Sequence, residues 1–248
     1  MRRQVSSFAS VRRMATKRRG PVSKLAAEAG VLERIRSEAI ALFKAHGYHG
    51  ASVRELAQAV RIEAASLYYH FPSKQEILFD LFERTMDDLR GGLEHAVANG
   101  TTSEDKLRAV VRFHVLYHIA HQDEAFISHS ELRSLTAQNR RRIVVKRDRY
   151  ERILRELIAD GVRGGEFRVD DVRLTAIGVL TMCSSVSDWF TGGGRLTADK
   201  VADRYIEMVM RLVRDPRGAR LSKGAVARRP RTRRQAAGAD TGLLARRR

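Results

Sequence analysis

Between Ser52 and Lys74 the chain gathers side chains whose chemistry suits the outside of a DNA duplex. Glu63 can accept a hydrogen bond from cytosine N4, Ser66 can pair with several base edges, and the methyl group of Ala64 can sit against a thymine methyl. The set is poor in bidentate donors, so specificity is expected to lean on Tyr69, Arg61 and duplex shape. A second group, His114, His118 and His121 with Asp123 and Glu124 just beyond, has a helical spacing compatible with a metal. One helix supplying three imidazoles is an uncommon ligand set, so a polar or pocket-lining role is favoured and no metal is expected. Cys183 is the only cysteine, which excludes an internal disulfide and a cysteine-based zinc site; within an apolar helix it reads as a small core residue.

The first group needs a frame, and SVRELAQAVRIEAASLYYHF, residues 52–71, supplies one as two brief helices joined by a tight turn. Ser52 and Glu55 form the reciprocal pattern of a capping box. Val53, Leu56, Ala57 and Val60 then recur at helical spacing, leaving Arg54, Glu55 and Gln58 outward. The second helix, 63–70, buries Leu67 and one of Ala64 or Ala65, and shows Glu63, Ser66 and Tyr69. Phe71-Pro72 stops it, and Ser73-Lys74-Gln75-Glu76 opens another helix with a second capping box.

Preceded by an amphipathic helix at 32–45 that ends in His46-Gly47, the run LYYHFPSKQEIL resembles the N-terminal domain of TetR-family transcriptional regulators over roughly residues 31–81. The resemblance implies that Tyr68 and His70 contact phosphates. It implies the same for Lys74, helped by the dipole at its helix N-terminus, with Ser52 and Arg54 adding contacts from the first short helix. Three positions depart from the family pattern: Arg61 and Ala65 stand where glycines are common, and Glu63 where Ser or Thr caps the helix. A positive φ at Arg61 would cost on the order of 1 kcal/mol relative to glycine.

The formal charge of +18 is unevenly spread. Residues before Val31 carry a net +7 and those from Arg214 onward +10, leaving the middle at about +1. The expected organisation is a disordered basic arm at 1–30, a helix-turn-helix domain at 31–76, a helical ligand-binding and dimerisation domain at 77–213, and a disordered basic tail at 214–248. Such ends add salt-sensitive, sequence-independent DNA affinity or serve only as solubilising segments. No apolar run approaches a membrane span, so no membrane partner and a cytoplasmic location are expected.

Past Ser73 the pattern is helical throughout, giving an all-α fold. Helices are expected from Ser73, from Ser103, at 125–135, at 137–162, at 171–190 and at 197–213, with Gly91-Gly92 kinking or ending the first of these. Leu174, Ile177 and Leu180 in one helix and Val201, Tyr205, Met208, Val209 and Leu212 in the next form apolar stripes. The family resemblance implies that these two helices pair across a homodimer. It also implies a small-molecule effector inside the larger domain, where Phe113, Leu116, Tyr117, Phe126, Met182, Trp189 and Phe190 are candidate lining residues. DEAFISHSELRSL and DWFTGGGRLTADKVADRYIEMV are similar to ligand domains of regulators of fatty-acid or steroid breakdown, some of which respond to acyl-CoA thioesters. Arg133, Arg147 and Arg149 could attract the phosphates of such a ligand.

An enzyme is not expected: there is no phosphate-cradling glycine loop, nucleophile elbow or metalloprotease pair, and no cofactor is implied. The resemblance points to a homodimeric, ligand-responsive regulator, most often a repressor, binding an inverted repeat. The alternative is a nucleoid-type protein coating DNA with its basic ends.

Overall fold

Apolar residues spaced three and four apart dominate the chain, and the backbone follows them into helix after helix. The structure, a computed structural model, describes residues 21–214, with side chains from Glu28 onward. Among these residues there are ten α-helices, one short 3-10 turn and no strand. The first four helices are α1 (Pro21–Gly50), α2 (Val53–Val60), α3 (Ala64–His70) and α4 (Lys74–Ala98). Next come α5 (Ser103–Ala120), α6 (Gln122–Ser130), the 3-10 turn Leu132–Ser134 and α7 (Ala137–Arg163). The chain closes with α8 (Val172–Ser184), α9 (Val186–Trp189) and α10 (Ala198–Arg214).

Helices α1 to α3 form a small head, and α5 is the axis of the larger bundle, packing against α4, α7, α8 and α10. Phe82, Leu93, Leu107, Ile143 and Phe167 are among the fully buried side chains that fill it. Helix α4 belongs to both parts. Its first turn reaches the head and its later turns pack on α5 and α7.

Several boundaries differ from the sequence expectation, each for a local reason. Residues 21–30, expected in the basic arm, are the opening turns of α1. Proline is tolerated at a first helical position, and the Lys-Leu-Ala-Ala-Glu run after it is strongly helix-forming. Residues 1–20 of that arm and 215–248 of the basic tail lie outside the described residues. At its far end α1 breaks where expected, since Gly47 has φ 68° inside the span. Gly91-Gly92 neither ends nor kinks α4: a Cβ on Gly92 would lie 2.0 Å from the Phe113 ring, so the glycine lets α5 approach an uninterrupted helix. The expected helix at 171–190 is two, α8 and α9, meeting at Ser185. The helix expected at 125–135 starts earlier, at Gln122, and finishes as the 3-10 turn.

Candidate nucleic-acid interface and effector chamber

The capping box opening α2 is complete: Ser52 Oγ accepts from the Glu55 amide at 3.1 Å and Glu55 Oε2 accepts from the Ser52 amide at 2.8 Å. These bonds hold the Glu55 carboxyl below the usual carboxylate range. Helix α2 then ends on Arg61, whose φ of 60° and ψ of 49° are left-handed. The Arg61 amide donates to Gln58 O and the Ile62 amide to Ala57 O, both at 3.0 Å, so the turn is closed by backbone bonds despite lacking glycine.

Helix α3 buries only Leu67. Ala64 and Ala65 both face outward with Ser66 and Tyr68, and Tyr69 is 79% exposed. The expected burial of one alanine therefore does not occur, because a seven-residue helix held by Leu67 and the following Phe71 has one anchoring stripe. Glu63 stands at the N-cap with no side-chain cap bond. The outward surface is what a helix entering a major groove requires.

The next start is half as expected. Ser73 Oγ accepts from the Glu76 amide at 3.2 Å, but the Glu76 carboxylate does not return the bond and instead stands 3.5 Å from Asn139 Nδ2. Lys74, expected at a phosphate, turns inward: Nζ donates to Tyr48 O and to Ala51 O, each at 2.8 Å, and lies 4.4 Å from the Tyr48 ring centroid. It ties the start of α4 to the end of α1.

Further polar contacts join head to bundle. Asp80 accepts from Arg36 Nε at 2.7 Å and from Nη2 at 3.1 Å, which raises the Arg36 pKa. Lys44 pairs with Asp123, and Glu131 Oε1 accepts from the Tyr48 amide at 3.2 Å. Gln75 donates to Ser134 O at 2.7 Å and accepts from the Thr136 amide at 3.0 Å. A polar cleft of about 530 Å³ lies in this joint, between α1, α4 and the α5–α6 corner.

Behind it, α4, α5, α6, α7 and α8 enclose a chamber of about 420 Å³ whose wall includes Met86, Leu89, Ala125, Ile177 and Leu180. Its polar side chains include His114, His118, Arg147, Tyr150 and Glu151. Burial pushes the pKa of His114 well below the usual histidine value, the nearby His118 adding to the effect, and burial lowers that of His118 too. Burial also lowers the Arg147 pKa. The Arg147 guanidinium donates to Ser128 O at 2.9 Å and, among the described residues, has no carboxylate within salt-bridge distance. Thr85 and Tyr117 line both the chamber and the cleft, forming the partition between them.

Comparison with known proteins bears on this architecture of small helical head and hollow bundle. Residues 35–81 match the family model for bacterial regulatory proteins of the tetR family, and residues 100–213 match a tetracyclin repressor-like C-terminal domain. The solved TetR-family regulator PfmR of Thermus thermophilus is 34% identical and superposes with a TM-score of 0.66, covering 72% of this chain and 97% of that one. The chain belongs to the TetR family.

Other family members are similar along most of their length. The transcriptional repressor KstR2 of Rhodococcus jostii is 28% identical over 192 residues, 77% of this chain and 94% of that protein. AibR, solved in complex with isovaleryl coenzyme A and operator DNA, is 28% identical with a TM-score of 0.66 over 72% of this chain and 97% of its own. These proteins are regulators, and nothing in them favours the DNA-coating alternative or an enzyme.

Within the TetR frame the chamber differs from the residue set expected from sequence. Of the expected aromatic and apolar residues only Tyr117 lines it. Phe113 packs on Gly92, Leu116, Met182 and Phe190 pack against the core, Phe126 and Trp189 are about half exposed, and Arg133 lies in the 3-10 turn. Aromatic content marks apolar volume, but helix rotation decides which side chains face a void. Arg147, a candidate for ligand phosphates, does line it, whereas Thr85, Met86 and Leu89 are ordinary positions on amphipathic helices and carry no local signal. His114 and His118 were legible as pocket-lining.

The three histidines do not converge. The His114 and His118 rings are tilted against each other with centroids 4.3 Å apart, while the His121 ring stacks on Tyr117 and its Nδ1 is 3.5 Å from Glu124. Among the described residues no group of His, Cys, Asp and Glu has the arrangement of a metal site. Cys183 is buried, its thiol pushed up to about 12 by desolvation, which leaves it unreactive.

The expected dimer stripes split as well. Val201, Tyr205 and Val209 are buried in the chain's own core, where α10 packs on α5, and Leu180 lines the chamber. Leu174, at 66% exposure, Met208 and Leu212 remain outward, and the partly exposed Ile177 lines the chamber. A helix with apolar residues on both sides offers one set to its own domain and the other to solvent, and spacing alone does not separate them.

Proposed function

We propose that this protein is a homodimeric repressor that binds an inverted-repeat operator and is released by a small hydrophobic effector of the acyl-CoA type. The observation that carries the reading is that one helix serves both sites. Lys74 in the first turn of α4 holds the end of α1 beside the reading head, and Thr85, Met86 and Leu89 farther along the same helix wall the chamber. A guest that displaces α4 therefore moves the head.

Two heads related by a twofold axis would set their α3 helices in successive major grooves about 34 Å apart. Glu63, Ala64, Ser66 and Tyr69 would face base edges, with Ser52, Arg54, Arg61, Tyr68 and His70 on the phosphates. Support for the dimer comes from the outward face of α8, where Gly178 lies one turn from the exposed Leu174 and a Cβ added to it would meet nothing within 4 Å. An exposed mid-helix glycine costs about 1 kcal/mol against alanine, a cost that close approach of a second helix would offset. Arg147 in the chamber wall suits an anionic group, and AibR, of similar fold, holds isovaleryl coenzyme A. Among the described residues no helix is long and apolar enough to cross a membrane, in keeping with a regulator acting in the cytoplasm.

A coupling of about 1–3 kcal/mol between chamber and head would change operator affinity roughly 5- to 150-fold. Footprinting on DNA flanking its gene should show a protected inverted repeat that survives excess random duplex and is released by isovaleryl-CoA or a longer-chain CoA thioester. Equal competition by scrambled duplex would refute the regulator reading in favour of DNA coating.

A further inference from the structure

His114 and His118 occupy successive turns of α5, are 4% and 7% exposed, and both stand in the chamber wall. Their hydrogen bonds assign the ring protons. His118 Nδ1 is 2.9 Å from the carbonyl of His114, and a carbonyl oxygen only accepts, so Nδ1 carries the proton. In the neutral ring that burial enforces, Nε2 is then a lone-pair acceptor on the ring edge turned away from its own helix.

The second ring is set by Tyr150. Its hydroxyl, kept protonated by burial, lies 2.6 Å from His114 Nδ1 and fixes that ring in place. His114 Nε2 is itself buried, so this ring lends the patch its packing and not a free donor.

The chamber wall thus offers an unused acceptor, His118 Nε2, on a ring tilted against that of His114 with centroids 4.3 Å apart. A saturated chain does not answer it, and a ketone or ether oxygen has no proton to give. A hydroxyl donates to it. Water has the same capacity, and a ligand hydroxyl that displaces it keeps its bonds.

We infer that the effector carries a hydroxyl on its apolar body that donates to His118 Nε2, so that the chamber selects hydroxylated over saturated or keto acyl groups. This rests on the chamber being the effector site proposed above. A site built to bond a hydroxyl discriminates against the analogue without it, because its own polar atoms are then left unpaired.

The test is calorimetry on the full chain with dodecanoyl-CoA, a set of hydroxydodecanoyl-CoA positional isomers and the matching oxododecanoyl-CoA compounds. The best hydroxy isomer should bind about tenfold tighter than dodecanoyl-CoA, the effect of one net hydrogen bond, and its oxo counterpart should show no such gain. His118→Leu should erase the preference while still binding dodecanoyl-CoA. His118→Gln, whose amide oxygen can accept, should keep part of it, and thermal melts of both variants report folding. Equal binding of hydroxy and saturated compounds by the unmodified protein, or an undiminished preference in His118→Leu, overturns the inference alone. Binding of none of these thioesters overturns the acyl-thioester reading and this inference with it.

Discussion

In the reading head, from Ser52 to Lys74, the bonds that set geometry are short in sequence: Ser52 to Glu55, Arg61 to Gln58, and at most the 26 positions from Lys74 back to Tyr48. The chamber is assembled from five helices, and its central polar contact joins His114 to Tyr150 across 36 positions. The head keeps its functional side chains outside, where local caps and turns orient them. The chamber keeps them inside, where each is positioned by helices packed from far along the chain. A change in the head should therefore act on DNA contact or on local stability, and a change in the chamber on burial and on effector choice.

The sharpest way to break this division is at the proposed interface, which belongs to neither region. Gly178→Arg should leave a folded monomer by sedimentation at micromolar concentration and cost specific operator affinity roughly a hundredfold or more, since bivalent engagement of two half-sites is lost. An intact dimer would remove α8 from the interface.

Lys74 tests whether a head residue works by touching DNA or by holding α4 in place. Its ammonium bonds two carbonyls, so Lys74→Ala should destabilise the fold by about 1–3 kcal/mol in urea unfolding and weaken operator and random duplex alike. A salt slope lowered by about one with unchanged stability would restore the direct phosphate role.

For the chamber, the pH dependence has a definite sign. His114 and His118 are neutral in the fold and have pKa values lowered by burial, so the unfolded chain binds more protons as the pH falls below about 6.5. Stability should be full near neutral pH and decline on acidification, at up to about 1.4 kcal/mol per pH unit for each histidine. Denaturant melts from neutral to mildly acid pH measure this, and His114→Gln should flatten the slope. An unchanged slope would mean that His114 is already charged in the native state.

The smallest effect is at the turn. Arg61→Gly relieves a left-handed conformation at an exposed residue and should stabilise the protein by about 1 kcal/mol in thermal unfolding. Loss of operator binding despite that gain would mark Arg61 as a DNA contact.

The head was largely legible before any coordinates because its determinants are local. Ser52 with Glu55 and the stop at Phe71-Pro72 follow from residue type and near neighbours, while the left-handed turn at Arg61 was suggested only by the family pattern of a glycine there. Even there the inward bonds of Lys74 were not legible: nothing local indicates that the carbonyls of Tyr48 and Ala51, more than twenty positions back, converge on its ammonium. In the chamber the aromatic residues were the natural candidates, yet Trp189 and Phe126 face outward while Thr85 and Leu89 line the wall.

Helical periodicity, caps and breakers by themselves determined that this chain is all-α, where most of its helices lie, and that a short helical pair stands ready to meet a duplex. Tertiary packing alone decided which side of each helix closes around a void, which apolar stripe of α8 and α10 stays outside, and that two histidines meet a tyrosine out of water. Periodicity records that a helix has an apolar side, whereas the neighbour that side meets depends on rotations and distances set by all the helices together.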